Sequence, residues 1–200
     1  MIMKEHKENL IKHYIKTKLN LMPDREQLLF ERIAPMFTIQ SALKLQDLES
    51  PGPASEGRVW YSAQAMVHGY YYSKKKDAIY GTQIWKKKEA ILFASSLLNG
   101  TDRTNYVQML EDGIVTSISY PDMLTIRSEF PEVSADIEQT ILQNEQAHQH
   151  RIQLLNEPSL DRIMRFEKEN PLFCSITNLD IKAMHVGLKR KRYGYIRRQV

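Results

Sequence analysis

The chain has one cysteine, Cys174, in 200 residues. That excludes an internal disulfide framework, and it excludes any zinc site or iron–sulfur cluster that needs several thiolates. Cys174 itself reads as a small buried apolar side chain. Long apolar runs are also missing, since no stretch approaches the ~18–20 residues of a membrane span. Met1 to Lys18 is charged throughout and lacks the apolar core of a secretory signal. The expected setting is therefore the cytoplasm, without membrane contact. There is no Gly-rich phosphate loop, no Gly-x-Ser-x-Gly, no His-Glu-x-x-His and no Cys-x-x-Cys, and no internal repeat. An enzyme has no positive support, and no catalytic residue, metal or cofactor is predicted.

What is present is an uneven distribution of charge. The net charge is only +4, yet residues 158–200 hold ten lysines and arginines against four acids. The preceding residues hold 18 basic and 20 acidic side chains. A near-neutral body with a cationic end predicts a polyanion-binding module, with nucleic acid as the commonest such partner. A hydrophobic content of 42% allows one good core or two modest ones.

The texture along the chain changes twice. Leu10, Ile11, Tyr14 and Ile15 share one helical face, and Pro23-Asp24 opens a second short helix carrying Leu28, Leu29 and Ile33. Short β-branched or alternating runs follow at 36–45, 58–67, 69–72, 78–85, 106–110 and 114–120, separated by turn-rich stretches such as Ser50-Pro51-Gly52-Pro53 and Asn99-Gly100-Thr101-Asp102. Six short strands at this spacing predict an antiparallel sandwich, jelly roll or barrel. Trp60, Trp85 and Tyr70 to Tyr72 either line a pocket for an apolar ligand or alternate between core and outer face.

Helical texture returns at Pro121. Pro131 starts a run reaching about Asn156, in which Val133, Ile137, Ile141, His148, Ile152 and Leu155 recur at three- to four-residue steps. Asn144, Gln146, His148 and His150 interrupt the stripe, which fits either a half-exposed helix or a dimer seam with polar register-setting residues. Glu145-x-x-His148 has a spacing used in carboxylate-bridged metal sites, but no matching pair faces it, so these side chains are expected at solvent or at an interface. Two or three short helices follow, at 159–169, about 178–186 and 188–198, with Pro171 expected to close the first.

Four stretches in this order resemble the cyclic-AMP receptor and fumarate-nitrate regulator (Crp/Fnr) family. They are Glu111-Asp112-Gly113 running into Ile114 to Tyr120; Pro121-Asp122-Met123-Leu124 with Phe130-Pro131; Arg162-Ile163 with Phe166 and Asn170-Pro171; and Ile176 to Asn178 with Ala183, Gly187, Leu188 and Ile196 to Arg198. The resemblance covers nearly the whole chain. It implies an α+β fold: an antiparallel β jelly roll of the cyclic nucleotide-binding type over 1–130, flanked by helices, then a long dimerisation helix over 131–156. A small helical winged-helix or helix-turn-helix domain over 157–200 completes it. The implied function is a homodimeric regulator that binds double-stranded DNA, with Ile137, Ile141, Asn144, His148 and Ile152 at the dimer seam. The competing readings are a ligand- or protein-binding module with a decayed DNA-binding domain and, with less support, a cupin-like enzyme.

Family members that bind a cyclic nucleotide carry a Gly-Glu pair and, about ten residues on, an Arg followed by Ser or Thr. Here Arg103-Thr104 matches the second place, while Leu92 to Ser96 offers neither glycine nor glutamate at the first. Loss of the ribose acceptor would cost about 1–3 kcal/mol. The effector is therefore expected not to be cyclic AMP and its identity is unknown; Arg103 is expected as a surface charge, the alternative being an anion-binding site at Arg103 and Thr104, and Ala65 in place of a turn glycine points to a remodelled hairpin.

Residues 187–200 hold six cations and no acid. In a helix over 188–198, Tyr193 and Ile196 are the expected packing anchors, leaving Lys189, Arg190, Lys191, Arg192 and Arg197 for DNA. If Gly187 is the turn glycine, Ala183 takes the small-residue place but Lys182 replaces an apolar residue; keeping Ile181 as the anchor inserts one extra residue. The resemblance puts Lys191 and Tyr195 where operator-reading relatives carry glutamate and arginine. Phosphate contact, salt-sensitive affinity and modest sequence discrimination are expected.

Overall fold

The computed structural model describes residues 2–19 and 21–199, with side chains from Glu5 onward. Met1, Asn20 and Val200, which fall within the expected first and last domains, lie outside the described residues. Helices α1 (Ile2–Lys18) and α2 (Pro23–Ile33) precede eight strands: β1 (Thr38–Ala42), β2 (Asp47–Glu49), β3 (Arg58–Ser62), β4 (Val67–Ser73), β5 (Ala78–Trp85), β6 (Ala90–Ile91), β7 (Tyr106–Met109) and β8 (Gly113–Ser119). A short helix, α3 (Ala94–Asn99), interrupts them. Then come α4 (Tyr120–Glu129), α5 (Pro131–Asn156), α6 (Ser159–Glu169), α7 (Pro171–Ile176), α8 (Leu179–His185) and α9 (Arg190–Arg197).

The strands form two antiparallel sheets, ordered β1-β8-β3-β6 and β2-β7-β4-β5, which is a jelly roll. The run expected as one strand over 58–67 is two. It bends at Ser62, where the hydroxyl accepts from Ala65 N at 3.2 Å, and β3 and β4 part into different sheets. No hairpin joins them. Ala65 is fully buried, with Gly113 approaching its methyl group, so a small side chain fits between sheets there. Trp60 and Trp85 lie in the roll's core, while Tyr71 and Tyr72 cover its outer face.

Prolines open the helices. Pro23, Pro121, Pro131 and Pro171 each stand in a first helical turn, where the missing N–H has no partner to lose. Pro171 therefore starts α7 rather than merely ending α6. Among the described residues the C-terminal unit is helical and contains no strand.

Three apolar clusters hold the molecule together. One packs α1, α2, α4 and the first turns of α5 onto β3 and β8, and another fills the roll. The third joins α6 to α9 with Leu154, and it also takes in Met66 and Leu110 from the roll. The C-terminal helices are thus docked on the β4–β5 sheet. Phe166 and Phe173 meet edge to face within that cluster, each burial being worth roughly 1.5–3 kcal/mol.

Candidate nucleic-acid interface

The helix-turn-helix is built from local signals. The Asn178 side chain accepts from Ile181 N at 3.0 Å and caps α8. Val186 ends the helix, and Gly187 follows at φ 65°, the left-handed conformation that costs glycine least. Leu188 N then donates to Ala183 O at 2.9 Å, closing the turn. Gly187 is the turn glycine, Ala183 is buried beneath it, and Ile181 is the buried anchor, with Lys182 half-buried between them. Both alignments weighed from sequence are partly satisfied, at the cost of one extra residue.

Helix α9 packs by Tyr193 and Ile196, as its pattern predicted. The Tyr193 hydroxyl donates to Glu167 Oε1 at 2.7 Å, and burial is the main reason its pKa is raised. Gly194 allows α9 to approach Leu179 on α8. With that side committed, Lys189, Arg190, Lys191, Arg192, Arg197 and Arg198 are exposed. Arg190 pairs with Asp180 at 2.9 Å and Arg197 with Glu167 at 2.9 Å. The Arg190 pair is open to solvent and contributes little. Among the described residues, Lys189, Lys191 and Arg192 have no carboxylate partner. Arg190, Lys191, Arg197 and Arg198 line an open concavity of about 660 Å³ with Leu179 and Gly194. The positive end of the α9 dipole adds to the same field. Arg198 was not singled out from sequence as a contact; its only signal was the acid-free run. Tyr195 of the same helix is 61% exposed. Arg162, counted with the basic residues, is structural instead: it donates to Glu157 O and to Val186 O at 2.8 and 2.9 Å, tying the end of α5 to the turn.

Arg103 is not the surface charge expected from sequence. It is buried, and its guanidinium pairs with buried Glu49 at 2.8 Å. Glu49 also accepts from Trp60 Nε1 at 2.7 Å, while Arg103 Nε donates to Pro53 O at 3.2 Å. Backbone bonds in both directions between Arg103 and Gly52, at 2.7 and 3.1 Å, complete the clamp. Added bulk at Gly52 would meet the guanidinium at 2.9 Å. Thr104 beside it is exposed, accepting only from Asn105 Nδ2 at 3.3 Å. The Arg103 guanidinium is thus occupied by protein partners.

The five residues expected at a dimer seam separate on α5. Ile137 is buried in its own chain's core, with Ile141 half-buried beside it, and Asn144 accepts from Gln83 Nε2 on β5 at 2.5 Å. Those three are covered by their own chain, Ile137 and Ile141 in the cluster that holds α1, α2 and α4 on β3 and β8, and Asn144 by β5. His148 and Ile152 are exposed, as is Leu142 at 63%. Glu145 accepts from Gln149 and is exposed, like His148. Cys174 is half-buried, and burial pushes its thiol up to about 11.

Where α8 meets the roll, His185 Nε2 lies 3.1 Å from His68 Nδ1, and His68 Nε2 lies 3.1 Å from Gln108 Oε1. Both rings are buried, His185 between Phe166 and Phe173. Desolvation lowers His68 to about 4 and holds His185 well below the usual histidine range, with its partner ring and Arg151 adding to the effect. Sequence offered no signal for this pair.

No protein-family model and no curated protein matches the chain. Solved structures do. A Crp/Fnr-family transcriptional regulator from Eubacterium rectale superposes with a TM-score of 0.74 at 12% identity, over 90% of this chain and 87% of the other. The c-di-GMP responsive global regulator CLP of Xanthomonas campestris gives 0.71 at 14% identity, over 86% and 90%. FixK2 of Bradyrhizobium japonicum gives 0.68 at 12% identity, over 82% and 83%. With TM-scores of 0.68 to 0.74 over 82–90% of its length, the chain has the fold of the Crp/Fnr transcription regulators.

Proposed function

We propose that this protein is a DNA-binding transcription regulator whose reader is residues 157–200, carried by the long helix 131–156 on a regulatory roll formed by 1–130. The observation that carries this reading is the set of exposed cations at the start of α9, three of them without a carboxylate partner among the described residues. An internally neutralised face would have little to offer a phosphate backbone. Lys189, Arg190, Lys191, Arg192 and Arg197 make the contacts, mostly to phosphate, with Tyr195 toward the groove.

The protein acts as a homodimer, with the outward side of α5 as the seam. Leu142, His148 and Ile152 lie on the solvent-exposed parts of that helix, and pairing two readers doubles the phosphate contacts. Cyclic AMP is not its effector, because Arg103 is already committed to Glu49 and Pro53.

A gel shift against the promoter of the chain's own gene tests the reading, alongside a variant with Lys189, Arg190, Lys191 and Arg192 all changed to Ala. Specific retardation by the parent and none by the variant is expected. Equal, weak retardation of any DNA by both proteins would overturn it.

A further inference from the structure

The junction of roll, long helix and reader holds a partly open cavity of about 280 Å³, and some of its polar groups are poorly served by the protein. Thr82 and Gln83 of β5, Arg151 and Leu154 of α5, Phe166 of α6 and His185 of α8 all line it. Two buried side-chain polar atoms without a hydrogen-bond partner among the described residues, Thr82 Oγ1 and Arg151 Nε, belong to residues lining this cavity. A third, Trp85 Nε1, belongs to a neighbouring cleft of about 410 Å³ that shares several of the same walls.

Arg151 is the decisive group. Its guanidinium donates to Gly81 O, but no carboxylate pairs with it among the described residues. The acid in the same wall, Glu169, is held by Arg165 and His150, both at 2.8 Å. A largely desolvated cation without a counter-charge is costly, and proteins ordinarily pair such groups. Phe93, Phe166 and Leu154 line the same cavity and supply apolar surface to it.

We propose that this junction binds a small organic anion, its carboxylate or phosphate on the Arg151 guanidinium and Thr82 hydroxyl and its apolar body against Phe93, Phe166 and Leu154. A planar guanidinium matches either oxyanion in two-point fashion, and the volume suits a ligand of about a dozen non-hydrogen atoms. Because His185 belongs to the first helix of the helix-turn-helix, the site exists in full only while the reader is docked. Occupancy therefore favours the docked arrangement over any other.

The test is isothermal titration of the full chain with benzoate and with phenyl phosphate, using benzyl alcohol as the neutral control. It needs no DNA, so its outcome is independent of the DNA-binding reading. Saturable one-to-one binding of at least one anion is expected, with none of the alcohol, and the comparison of the two anions identifies the preferred head group. Arg151→Gln should weaken binding at least tenfold with circular dichroism and melting unchanged. Should that variant fail to fold, Ala147→Phe places bulk in the same cavity from an exposed position and should abolish binding. Absence of saturation for both anions, or parent-like binding by either folded variant, would overturn the proposal.

Discussion

Breaking the Glu49–Arg103 pair should cost more than any exposed ion pair in the molecule. Both side chains are about 5% exposed and lie 2.8 Å apart. Arg103→Met leaves the Glu49 carboxylate buried with only Trp60 Nε1 to satisfy it. Removing one partner of a buried pair costs about 3–5 kcal/mol, because the survivor stays desolvated and unpaired. Set against a typical total of ~5–15 kcal/mol, that is about a fifth or more of the stability. In urea, with a slope near ~2 kcal/mol per molar, the midpoint should fall by about 1.5–2.5 M. The double variant Glu49→Leu/Arg103→Met should recover to within ~1–3 kcal/mol of the parent, since two apolar side chains need no partner and the main residual cost is the Trp60 indole N–H that loses its acceptor. The sum of the two single losses would then greatly exceed the loss in the double variant. A loss below about 1 kcal/mol for Arg103→Met, or strictly additive losses, would refute the view that this arginine is a structural clamp.

Two further outcomes follow from the docked reader. His68 and His185 bind protons less readily when folded than when unfolded, so stability is intact above pH ~6.5 and falls as pH drops from there toward about 4. The slope should reach ~1.4 kcal/mol per pH unit for each histidine, read from urea midpoints at pH 7.5, 6 and 5. His68→Gln should flatten the profile, and a parent profile already flat would contradict the assignment. Gly81→Ala brings a methyl carbon to 2.5 Å from the His185 ring, which the phenyl rings of Phe166 and Phe173 prevent from moving. A cost of ~1–3 kcal/mol is expected, seen as faster proteolysis at the α5–α6 hinge with the roll intact; unchanged cleavage would refute the packing argument.

Elements defined by local chemistry were legible before the structure. Helix α5 starts at Pro131 and ends at Asn156, and β5 runs from Ala78 to Trp85, as their patterns predicted. So did the anchoring of α9 by Tyr193 and Ile196 and the turn at Gly187. What was not legible depends on distant partners. Strands β2 and β6 hold three and two residues and exist only through pairing with β7 and β3. Arg103 read as a surface charge because Glu49, which buries it, lies far upstream in the chain. The stripe on α5 specified an apolar contact without naming the surface, and its own chain supplies it, through α1, α2 and α4 at Ile137 and β5 at Asn144. The His68–His185 contact joins a strand to a helix more than a hundred residues later, beyond any periodicity.

The central claim is that α9 meets the phosphate backbone with cations left unpaired by the fold. Its most direct test is the salt dependence of duplex binding, followed by fluorescence anisotropy, for the parent and for Lys189→Ala/Lys191→Ala/Arg192→Ala. Each phosphate contact contributes ~0.9 to the slope of log affinity against log salt. The triple variant should lose about 2–3 from that slope per reader while melting as the parent does. An unchanged slope, with the variant binding as tightly as the parent, would contradict it.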